Sequence, residues 1–143
     1  MFKFIIFIII IKKIFLLLEE ETRTMAAVVL KEISNHASDQ IKNNCLKIVL
    51  PLAIFGSSDP DENIKNIWRD VWDDNTAGSI GAMKLYMDEI TNFINDNLVS
   101  NSWRVKKQAA DTLVEVTKTI GKIINNIYSY FYYCCCCLLI HFK

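Results

Sequence analysis

Between Arg23 and Ile120 the apolar residues recur every three to four positions, in five successive stripes separated by cap and turn residues. That periodicity leaves few folds open. The clearest stripes lie between Asn63 and Ile120. Ile64, Ile67, Trp68, Val71 and Trp72 fall at i, i+3, i+4, i+7 and i+8, one face of a helix. Met83, Met87, Ile90 and Ile94 repeat the spacing, with Lys84, Asp88 and Asn92 on the opposite side. Ala109, Leu113, Val116 and Ile120 do so again behind Trp103-Arg104-Val105-Lys106. Upstream, Ala26, Val29, Leu30, Ile33 and Ala37 share one face, and Ile41, Cys45, Ile48, Val49 and Leu52 another. Helices this short cannot bury their stripes alone and must stack on one another. Nothing between Arg23 and Ile120 has the strict alternation of a half-buried strand. The expected fold is all-α: helices near 24–36, 39–55, 60–73, 79–99 and 102–120, packed as antiparallel pairs in a HEAT/armadillo-like α-solenoid.

The punctuation agrees with the stripes. Ser38 or Asp39 suits the start of the second helix, because either side chain can accept from an otherwise orphan backbone N–H. Pro51 removes one hydrogen bond from that helix, so a kink is expected there. Gly56-Ser57-Ser58-Asp59-Pro60 is a break. After it, Asp59 reads as the cap, Pro60 as the first helical residue and Glu62 as the capping-box acid. Ser79 and Ser102 open the last two helices.

The two ends of this region resemble each other. Arg23-Thr24-Met25-Ala26-Ala27 superimposes on Lys106-Lys107-Gln108-Ala109-Ala110, and at the same offset of 83 Leu30 meets Leu113 and Ile33 meets Val116. That offset is two periods of the roughly 40–47 residues of HEAT and armadillo arrays. Small alanines would let neighbouring helices approach while the basic residue stays at the rim.

Outside the stripes the composition changes. Residues 1–18 are almost entirely Phe, Ile and Leu, broken by Lys3 and Lys12-Lys13. They read as translated AT-rich non-coding sequence, as a membrane anchor, or as a buried helix. A spanning helix needs about 20 apolar residues, and the paired lysines interrupt this one. Residues 122–143 include Cys134 to Cys137 in one run beside Leu138-Leu139-Ile140. Neighbouring cysteines point different ways and do not readily ligate one tetrahedral ion. The run fits either a translated trinucleotide tract or palmitoylation beside an apolar segment. Membrane contact is expected only if residues 1–18 or 123–143 act as anchors. The helical body, residues 22–121, is mildly acidic: from Glu19 to Lys118 there are 11 Lys+Arg against 16 Asp+Glu. With no basic run, a nucleic-acid surface is not expected.

No residue set assembles into catalytic, cofactor or metal chemistry. Gly78-Ser79-Ile80-Gly81 matches the GxxG of RNA-binding KH loops, but such a loop works within a strand-containing fold. Asp70, Asp73 and Asp74 lack the alternating oxygen ligands of a calcium loop and read as an acidic helix end. Cys45 lies in an apolar row as a small core residue, and His36 near a helix C-terminus. A Cys45–His36 nucleophile pair lacks a third orienting group. The remaining His141 is in the tail. Aromatic anchors are enriched at interaction hot spots, and Trp68, Trp72 and Trp103 fall within 36 residues. Trp68 sits on its stripe as core. Trp72 at the stripe's edge and Trp103 at a helix start are the expected exposed anchors, with Arg104 and Lys106 as basic neighbours.

Several of these segments occur together in one family. Ile67-Trp68-Arg69-Asp70-Val71-Trp72, Gly78-Ser79-Ile80-Gly81, Lys84-Leu85-Tyr86 and Ser102-Trp103-Arg104-Val105-Lys106 resemble the proteasome adapter and scaffold proteins, very long HEAT-repeat chains. Leu46 to Ala53 resembles the segment that precedes this block there, so the similarity covers roughly Arg23 to Gly121 and neither apolar end. The resemblance implies a non-enzymatic scaffold that holds the proteolytic core to its regulatory cap, with proteasome subunits as partners. It also implies a place in cytoplasm and nucleus. The alternative is a small membrane-anchored helical protein.

Overall fold

The computed structural model describes residues 2–16, 19–36 and 39–121. Seven helices occupy them: α1 (Phe2–Phe15), α2 (Glu20–His36), α3 (Asp39–Gly56), α4 (Glu62–Asn75), α5 (Ser79–Leu85), α6 (Met87–Leu98) and α7 (Trp103–Gly121). Among the described residues there is no strand. The consecutive pairs α1–α2, α3–α4 and α6–α7 pack side by side, and α2 on α4 and α3 on both α1 and α6 stack the pairs on one another. Short links at 57–61 and 99–102 fold α3–α4 and α6–α7 back as hairpins. This is the stacked-pair arrangement that the stripes predict.

The stripes bury as expected in α4 and α7. Ile64, Trp68, Val71 and Trp72 lie inside on α4; Val105, Ala109, Leu113, Val116 and Ile120 lie inside on α7. α3 differs, because every residue from Val49 to Gly56 is buried. A helix apolar on all sides belongs in the middle of a protein, and α3 touches α1, α4, α6 and α7. It runs without interruption through Pro51. Cys45 is 4% exposed on it, a core residue as its apolar row indicates, and burial pushes its thiol pKa up.

The core centres on Trp68, which is fully buried. Phe15 packs edge-on against it with ring centroids 4.9 Å apart, and Phe15–Phe55 and Phe55–Phe93 continue the edge-to-face chain at 6.2 and 5.3 Å. Such pairs add about 0.5–1.5 kcal/mol each beyond area burial. Gly56 is what admits the indole: a Cβ there would overlap Trp68 Cγ. Within the apolar N-terminal segment, α1 (Phe2–Phe15) therefore buries Ile8, Ile11 and Phe15, while Ile6, Ile9 and Ile10 face outward.

Three expectations are corrected. The start of α4 is capped by Asp61, whose Oδ1 accepts from the Ile64 N–H at 2.9 Å, and not by Asp59 with Pro60 as first helical residue. Asp59 is drawn inward by a buried arginine, which a carboxylate needs more than a helix end does. The span 79–99 is not one helix. Tyr86, at φ −110° and ψ 22°, breaks it, although Tyr86 N–H still donates to Ala82 and Tyr86 C=O still accepts from Ile90. Asp88 and Glu89 then sit in a fresh first turn, where the helix dipole favours acids. Finally, the basic residue of the repeated pattern does not stay at the rim, since Arg23 is 4% exposed.

Candidate protein-interaction surface

α7 begins where Ser102 C=O accepts from Lys106 N–H at 3.0 Å and Ser102 Oγ lies 3.5 Å from Val105 N. Trp103 opens the helix with 61% of its surface exposed. Val114 follows eleven residues later, three turns on and so on the same face, and is 45% exposed. Lys107 also projects from this face and pairs with Asp111 at 2.8 Å. Val99, in the link before α7, is 79% exposed. An apolar, lightly charged strip thus runs outward from α7.

Arg23, Asp59 and Gln108, three of the six buried polar side chains among the described residues, meet Arg104 in one cluster at the start of α7. Asp59 receives Arg23 Nε at 3.1 Å and Nη2 at 3.2 Å, the bidentate fork that arginine makes with a carboxylate. Arg104 Nη1 lies 3.8 Å from the same carboxylate and donates to Gln108 Oε1 at 2.7 Å, while Nη2 donates to Leu16 C=O at 3.2 Å. Gln108 Nε2 in turn donates to Phe55 C=O at 3.0 Å. Asp59 Oδ1 also accepts from the Asp61 N–H at 3.0 Å, which sets the link into α4. The Asp59 carboxylate, the two guanidinium groups and the Gln108 amide therefore tie α7 to α2, to the end of α3 and to the residue after α1. Burial, then the nearby Arg23 charge, push the Arg104 pKa down, and Asp59 acts against them. The cluster joins the first turns of α7, next to Trp103, to the neighbouring helices.

The expected anchors separate accordingly. Trp103 is exposed, as its position at a helix start indicates. Trp72 is not: it is 4% exposed, buried with Ile64, Trp68 and Val71 on one wide stripe of α4. Arg104 is turned inward, with its side chain 15% exposed, and Lys106 is half-buried. Spacing along the chain does not single out Arg23, Asp59 or Gln108. The only signal is the arginine that aligns with Lys106 and an Asp-Pro in the link after α3, neither of which specifies a partner 36 residues away.

The remaining candidates take ordinary places. Gly78 to Gly81 opens α5, with no strand among the described residues. Asp70 pairs with Lys31, and among the described residues no three His, Cys, Asp or Glu are grouped to hold a metal. His36 is exposed with Nδ1 2.9 Å from the Glu32 carbonyl on its own helix, while Cys45 is buried. Among the described residues no helix is long and apolar enough to cross a membrane. Cys134 to Cys137 and His141 lie outside the described residues.

No family model matches the sequence, and no solved structure matches the chain. Curated proteins do match. The human proteasome adapter and scaffold protein ECM29 is 32% identical over 108 residues, 71% of this chain and 6% of the human protein. Proteasome component ECM29 of Saccharomyces cerevisiae is 23% identical over 97 residues, 68% of this chain and 5% of its own length. Proteasome component ecm29 of Schizosaccharomyces pombe is 32% identical over 77 residues, 53% of this chain and 4% of its own. The chain thus spans about a twentieth of the length of these relatives. Three such matches place the chain in the family of proteasome adapter and scaffold proteins.

Proposed function

We propose that this chain is a non-enzymatic, protein-binding segment of a proteasome-associated scaffold, acting in cytoplasm and nucleus. In this reading it helps hold the proteolytic core and the regulatory particle together. Family membership carries the proposal, because relatives named as proteasome adapter and scaffold or as proteasome component are 23–32% identical to this chain over 77 to 108 residues. The strip on α7 supports it physically. Trp103 is a large aromatic with 61% of its surface exposed, set on a helix whose first turns the Arg104–Asp59–Arg23 cluster joins to the neighbouring helices. An aromatic on a rigid element loses little entropy on docking, which is how hot spots are built.

The test is co-purification. The full chain, tagged and expressed in cells, should recover proteasome subunits measured by quantitative mass spectrometry. Trp103→Ala should reduce that recovery strongly, since hot-spot truncations cost about 2 kcal/mol or more in binding. The thermal midpoint should stay near that of the parent, because the side chain is mostly outside the core. Recovery unchanged by Trp103→Ala would remove this residue as the anchor. Absence of proteasome subunits from both pull-downs would remove the scaffold reading itself.

A further inference from the structure

We draw no further inference here: the strongest candidate, the cleft between α1, α3 and α6 lined by Lys12, Lys47, Glu89 and Asp96, already pairs Lys47 with Glu89 at 3.2 Å and sets Lys12 over the Phe93 ring at 4.4 Å, and nothing in the structure shows what would fill it.

Discussion

Asp59 shows how much one side chain can decide. Its carboxylate is fully buried and faces two guanidinium groups, Arg23 in a fork at 3.1 and 3.2 Å and Arg104 at 3.8 Å. Removing one partner of a buried pair leaves an uncompensated charge and destabilises by about 3–5 kcal/mol. Asp59→Ala should therefore lower stability by roughly that amount in urea denaturation, whereas Arg23→Met combined with Asp59→Leu should recover part of the loss. A loss under about 1 kcal/mol for Asp59→Ala would mean that water screens the cluster. Gly56 decides as much by lacking a side chain. A new Cβ would overlap Trp68 Cγ, and the indole is fully buried with Phe15 packed against it. Overpacking of this kind destabilises by about 1–3 kcal/mol. Gly56→Ala should show it as a lowered thermal midpoint, and a neutral result would show that the core can yield there.

At the scale of the element, α7 is the clearest case of a face read from spacing. Leu113 is 5% exposed, while Lys107 is outward and paired with Asp111. Leu113→Asp buries an unpaired charge, at a cost of several kcal/mol. Lys107→Glu loses a surface pair worth about 0.3–0.5 kcal/mol and sets two acids one turn apart, so its effect should stay below about 1 kcal/mol. Equal thermal shifts for the two variants would contradict the face assignment. The break at Tyr86 is the element that spacing hides. Met83, Met87, Ile90 and Ile94 continue the period across it, yet Met87 is only half-buried and Phe93 turns in to meet Phe55 at 5.3 Å. Periodicity records which residues prefer burial; a backbone turn between two good helical segments leaves little mark on it.

At the scale of the whole molecule, α1 is the test of how far the core depends on the apolar N-terminal helix. Phe15 is fully buried against Trp68 and Phe55, and Leu16 C=O accepts from Arg104. Deleting residues 1–18 should therefore uncover the central aromatic cluster and lower the thermal midpoint by several degrees or more. The milder Phe15→Ala should cost about 3–5 kcal/mol, as for other buried aromatics. Unchanged melting of the deleted chain would mean that the body 22–121 does not rely on α1.

Local chemistry was enough to determine the helical class, the stacking, and the inward faces of α4 and α7, because a 3.6-residue period and a cap are properties of neighbours in sequence. The core place of Trp68 and Cys45 and the exposed start of α7 at Trp103 were legible for the same reason. Tertiary packing alone decided that Asp59 leaves the helix cap for Arg23, that Trp72 is covered, and that Arg104 turns from surface to interior. Each of these depends on a partner from another helix, 36 residues away for Asp59 and Arg23 and 88 for Arg104 and Leu16. A buried charge settles wherever the opposite charge is delivered by the fold, and no spacing along the chain encodes that meeting.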